Sequence, residues 1–92
     1  MDLLDQSVDD EQRKLENLLG VHHQQFIDYH NVKTRRSGNK VFAELHLTVD
    51  HNLTVQKAHE LTKHLEEELC QDMPEVSLII HVEPPKAHGN VD

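Results

Sequence analysis

The chain has 92 residues, 36% of them hydrophobic, with no Trp, one Tyr and two Phe, and a net charge of −8 with histidine neutral. At this length one domain with a small core is expected, because folding buries only roughly 60–65% of the surface the unfolded chain exposes; burial in a dimer would add to it. The acidic balance and nine scattered Lys/Arg residues exclude nucleic acid as a partner, since phosphate contacts need a basic surface, and favour cations instead.

Other broad features point the same way. A single cysteine, Cys70, rules out an internal disulfide and suggests a reducing compartment. No apolar run nears the roughly 20 residues that a membrane helix needs. Met1-Asp2-Leu3-Leu4-Asp5 is too acidic and too short in apolar length for a signal peptide. A soluble, cytosolic chain is the expectation.

The first element is a short helix from Ser7 to Leu19, capped by Ser7 or Asp9. Its Leu15, Leu18 and Leu19 form an apolar stripe, and Gly20 ends it. Phe26 to Arg35 reads as a strand with poor alternation, followed by the turn residues Arg36-Ser37-Gly38-Asn39. Val41 to Asp50 is a clear strand: Val41, Ala43, Leu45, Leu47 and Val49 share one face, Phe42, Glu44, His46, Thr48 and Asp50 the other. The two strands form a hairpin. A second helix opens at Asn52-Leu53-Thr54 with Thr54 as cap and runs to about Asp72. Val55, Ala58, Leu61, Leu65 and Leu69 make its apolar stripe, and Pro74 stops it. Cys70, beside that stripe, reads as a small structural hydrophobe. Val76 to Glu83 is the last strand, with Val76, Leu78, Ile80 and Val82 opposite Ser77, Ile79, His81 and Glu83. The domain spans residues 1–85, and residues 86–92 form a loose tail. The order α-β-β-α-β predicts an α+β, ferredoxin-like sandwich that lacks a final strand.

The helices must cover the apolar strand faces. The open face then carries Phe42, His46, Ile79, His81 and Glu83, so exposed apolar groups that suit a protein contact lie beside the histidines. The chain holds nine histidines, and a neutral imidazole is well suited to a borderline transition metal at neutral pH. His81 and Glu83 share a strand face, and His46 lies mid-strand on the corresponding face of another. The three converge if those strands are neighbours, which gives a set of N and O donors of the kind zinc takes. The facing of His30 does not follow from the weak alternation around it. His59 lies on the second helix, one step off the stripe. His22, His23, His51, His64 and His88 read as solvated.

Four segments carry a family resemblance. Tyr29-His30-Asn31-Val32-Lys33-Thr34-Arg35-Arg36-Ser37-Gly38, Glu44-Leu45-His46-Leu47, Val55-Gln56-Lys57-Ala58-His59-Glu60 and Ile79-Ile80-His81-Val82-Glu83-Pro84 occur in the order and at the spacing of the cytosolic C-terminal domain of cation diffusion facilitator transporters. The chain resembles that domain over most of residues 5–85. The resemblance implies a metallochaperone-like homodimer that binds zinc or a related divalent ion near the protomer interface, so that metal tightens the dimer and promotes cation export. It implies His30, His46, His59, His81 and Glu83 as metal ligands, with His59 supplied past a sheet edge or by a second protomer. Zn²⁺, Cd²⁺, Co²⁺, Ni²⁺, Fe²⁺ and Mn²⁺ are the ions it brings into question, and the transmembrane domain of a transporter is a further partner.

Three other readings compete. A freestanding metal carrier or buffer of the same fold needs no membrane domain. A metal-free dimerisation domain would leave the histidines unused. A small zinc hydrolase with Glu83 as base is disfavoured, because the donors lie on an open sheet face and no nucleophile elbow, phosphate loop or Cys-x-x-Cys is present. The chain is therefore not expected to be an enzyme.

Overall fold

A computed structural model describes residues 8–86. Helix α1 (Asp9–Val21) leads through a 3-10 turn (His23–Gln25) into strand β1 (Asp28–Ser37). Strand β2 (Lys40–Thr48), helix α2 (Val55–Asp72) and strand β3 (Val76–Glu83) follow. The sheet has the order β1-β2-β3, with β1 and β2 antiparallel and β2 and β3 parallel. This is the expected α+β arrangement, with β2 at its centre.

Both helices pack on one face of the sheet. The core joins Leu15 and Leu19 of α1, Leu61, Leu65 and Leu69 of α2, and Val41, Ala43, Leu45 and Leu47 of β2. The alternation of β2 marks its inner face correctly, and no charged or polar residue is buried among the described residues. Arg36 of β1 reaches Glu11 of α1 at 2.9 Å, and the Thr34 hydroxyl donates to Gln12 Oε1 at 3.1 Å. These contacts hold α1 across the first strand.

The helix ends depart from the sequence expectation. Val8 precedes α1 with no side-chain cap. Asp9 is the first helical residue, so its charge acts on the helix dipole together with Asp10 and Glu11; Ser7 lies outside the described residues. Nor does Gly20 end α1. Glycine stops a helix by taking a left-handed conformation, and among the described glycines only Gly38 has a positive φ. The helix therefore runs on to Val21, and the His22 N–H bonds back to the carbonyls of Leu18 and Leu19.

Thr54 caps α2 as expected, its hydroxyl accepting from the Lys57 N–H at 3.0 Å. Asn52 and Leu53 belong to the preceding turn. Val55 is 87% exposed and lies outside the stripe, which begins with the half-buried Ala58. Cys70 is exposed too, facing away from the core instead of packing as a small hydrophobe.

The hairpin turns on Gly38, whose φ of +63° is the only positive one in the Gly38-Asn39 loop. A positive φ at the first central position is what a type II′ turn requires. Strand β1 starts two residues later than expected and ends two later, leaving Phe26 to pack edge-on to Tyr29. Strand β3 coincides with its expected span.

Candidate metal centre

The site is built by strand register. His30 lies directly opposite His46, and His46 directly opposite His81. Paired residues share a sheet face, so three imidazoles form a row across all three strands on the face the helices leave open. The His30 and His46 rings stack with centroids 5.2 Å apart, and the His46 and His81 rings with centroids 4.8 Å apart.

A β-bulge brings His30 into this row. Pairing runs His30 to His46 and then Lys33 to Glu44, so Asn31 and Val32 together face Leu45. Asn31 adopts φ +55°, a left-handed conformation that asparagine tolerates better than most residues. The inner-face residues of β1 are thus Tyr29, Val32 and Thr34, which are half-buried, with a step of three in place of two. That step is why the alternation is weak and why the facing of His30 is hidden in the sequence.

Two carboxylates flank the row on opposite diagonals. Thr48 pairs with Glu83, and the longer Glu83 side chain reaches back to His46 Nδ1 through Oε2. Its Oε1 is 3.5 Å from His30 Nε2. In the other direction, His81 Nε2 is 3.0 Å from Glu44 Oε2. A carboxylate only accepts hydrogen bonds, so in these contacts His46 donates from Nδ1 and His81 from Nε2. When these rings are neutral, His46 Nε2 and His81 Nδ1 are the lone-pair nitrogens. The His46 hydrogen bond, helped by the nearby charges of His30, His46 and Lys86 and opposed by partial burial, holds the Glu83 carboxyl below its ordinary pKa of 4.5.

Two overlapping donor groups result. His30, His46 and Glu83 form one, and Glu44, His46 and His81 the other; within each, one donor atom per residue lies within 4.8 Å of the others. His46 belongs to both. Imidazole nitrogen and carboxylate oxygen are the donors that zinc and its neighbours accept, so the residues present fit such an ion.

The structure brings together four of the five residues singled out from the sequence. His59 is exposed on α2, the helix that covers the opposite face, and no group of converging donors among the described residues includes it. Glu44 was not singled out, although it stands two residues from His46 on the same face. The signal was available: Glu44-Leu45-His46 mirrors His81-Val82-Glu83 across the sheet.

With this geometry in place, the relationships of the chain become informative. Residues 8–85 match the family of the cytoplasmic domain of cation efflux proteins. The chain belongs to that family, a family of transporter cytoplasmic domains and not of enzymes. Among individual proteins, the cation-efflux pump FieF of Pectobacterium carotovorum subsp. carotovorum is 36% identical over 86 residues, covering 92% of this chain and 28% of the pump. FieF of Pectobacterium atrosepticum is 34% identical over 85 residues, with the same coverage. Protein p34 of Rickettsia rickettsii is 38% identical over 55 residues, covering 60% of this chain and 18% of p34. The chain thus spans less than a third of the length of these relatives. Among solved structures, the metal-bound C-terminal domain of the CzcD transporter from Thermotoga maritima superposes with a TM-score of 0.79 at 30% identity, covering 97% of this chain and all of that one. CzrB in its zinc form gives a TM-score of 0.71 at 33% identity, covering all of this chain and 99% of that one. No helix among the described residues is long and apolar enough to cross a membrane.

Proposed function

We propose that this chain is the regulatory metal-binding and dimerisation module of a divalent-cation efflux transporter. Metal held on the open sheet face would tighten a homodimer and so favour export. The observation that carries this reading is the row His30–His46–His81 laid across three strands by register and flanked by Glu83 and Glu44. The family membership, and similarity to a metal-bound CzcD domain and to the zinc form of CzrB, support it.

In this reading His46 anchors the site, His30 with Glu83 and His81 with Glu44 supply donors on either side, and His59 is delivered past a sheet edge or by the partner protomer. The ion is zinc or another divalent transition metal such as Cd²⁺, Co²⁺, Ni²⁺, Fe²⁺ or Mn²⁺. The transporter's membrane domain is the partner that the module serves. Phe42 and Ile79, 36% and 54% exposed on the same face, offer apolar surface for protomer contact.

Calorimetric zinc titration of the wild type against His46→Ala plus His81→Ala tests the proposal. The double variant should lose the tight sites on this face. A titration unchanged by the double substitution would mean that the sheet face holds no zinc, and a wild type that takes up no zinc would leave the module a metal-free dimerisation domain.

A further inference from the structure

The helical side of the molecule carries a separate cluster of metal-ligating side chains. His22 caps the C-terminus of α1, and His64 and Glu68 stand four residues apart on α2, one helical turn, so they share a face. The packing of α1 on α2 brings the three together although His22 and Glu68 are 46 residues apart in sequence. His22, expected in solvent, has a side chain only 12% exposed. Glu68 Oε1 lies 2.8 Å from His22 Nε2, and Glu68 Oε2 lies 3.1 Å from His64 Nε2. The two rings meet edge to face with centroids 5.2 Å apart.

We propose that His22, His64 and Glu68 form a second site for a divalent cation of the zinc class, distinct from the one on the sheet. The donor chemistry fits, with two imidazoles and one carboxylate converging within 4.8 Å. Donors around tetrahedral zinc stand about 3.3 Å apart, given bonds of about 2.0–2.1 Å, and the two separations to Glu68, 2.8 and 3.1 Å, are close to that value. Burial grades outward from His22 at 12% through Glu68 at 38% to His64 at 52%. An ion entering from the His64 side would keep water as its fourth ligand. The two imidazoles hold the Glu68 carboxyl below its ordinary pKa of 4.5, mainly through the His22 hydrogen bond, so it is ready as an anionic ligand.

The competing account is a carboxylate that only staples α1 to α2 by hydrogen bonds. Geometry separates this cluster from the sheet site, because the helices cover the face opposite the histidine row. An ion here would fasten the end of α1, and the chain that leads into β1, onto α2.

The test removes the sheet site first. In the His46→Ala plus His81→Ala background, zinc titration at pH 7.5 should show one residual ion per chain, and cobalt substitution should show its tetrahedral absorption. Adding His64→Ala or Glu68→Gln should weaken that binding at least about 10-fold. His64 is exposed, and Glu68, half-buried, keeps its size as glutamine, so the fold should survive either replacement, and far-ultraviolet circular dichroism checks this. Conversely, His64→Ala alone should leave the sheet site's zinc affinity intact. A background that binds no zinc overturns the proposal. So does residual binding that survives both His64→Ala and Glu68→Gln, since His22-His23 or another histidine would then hold the ion.

Discussion

His46 is the residue on which the sheet site turns. It pairs with His30 on one side and His81 on the other, and it is common to both donor groups. Replacing His30 or His81 removes a donor from one group; replacing His46 breaks both. His46→Ala should therefore weaken zinc binding by more than either neighbour's replacement, and by more than the roughly 10–100-fold that loss of a supporting group costs. Parallel titrations of the three single variants check this order. Glu83 makes a prediction without metal. Because its pKa in the fold lies below the ordinary 4.5, its contact with His46 contributes stability above that pH, and the contribution fades as pH falls below it. Urea unfolding of metal-free protein from about pH 5.5 to pH 3 should show a steeper loss for wild type than for Glu83→Gln. Equal slopes would mean that the hydrogen bond does not persist in solution.

At the level of elements, the bulge in β1 decides whether His30 can join the proposed site. Without it, strict alternation would put His30 on the same face as Val32 and Thr34, toward the helices. The left-handed conformation of Asn31 makes a sharp pair of variants. Asn31→Val forces a β-branched residue into φ +55° and should cost about 1–2 kcal/mol while weakening zinc binding. Asn31→Gly should be nearly neutral in both, because glycine adopts that conformation freely. Gly20 offers the opposite case. It sits inside α1 with open space where a Cβ would go, so Gly20→Ala should raise stability by about 0.5–1 kcal/mol, read as a higher thermal midpoint. These positions also show what a sequence can and cannot reveal. The alternation of β2 and β3 exposed the open face, and with it His46, His81 and Glu83, because period-two burial is written residue by residue. The bulge broke that period in β1, so His30 could be placed only by resemblance. Glu44 reads as an ordinary solvated acid until the register sets it diagonally from His81. The approach of His22 to Glu68 is a product of helix packing that no local spacing encodes. Val55 and Cys70 fit a helical period by position yet face solvent, because the helix touches the core along a narrower stripe than the apolar residues mark.

The whole molecule is a one-sided sandwich: helices on one face of the sheet, and on the other histidines beside exposed Phe42 and Ile79, all in a chain of net charge −8. Two such acidic chains repel at long range, and bound divalent ions reduce that repulsion while adding their ligand bonds. If a metal site is complete only when two chains meet, binding and association are linked. Free zinc at 100-fold its Kd then stabilises the dimer by about 2.7 kcal/mol per site, or about a hundredfold in the dimer dissociation constant. Sedimentation at pH 7.5 should accordingly show tighter association with zinc than with a chelator. The difference should shrink by pH 5.5, because imidazoles must be neutral to ligate and protons compete with the metal for their nitrogens. Ile79→Glu separates the apolar contribution from the metal's: its 54% exposed side chain leaves the protomer fold intact, but a buried, unpaired carboxylate would oppose protomer contact. That variant should dimerise weakly and, through the same linkage, bind zinc less tightly than the wild type at equal chain concentration. If it dimerises as well as the wild type, the open face is not where protomers meet. If wild-type association is the same with zinc and chelator, metal binding and dimerisation are not linked.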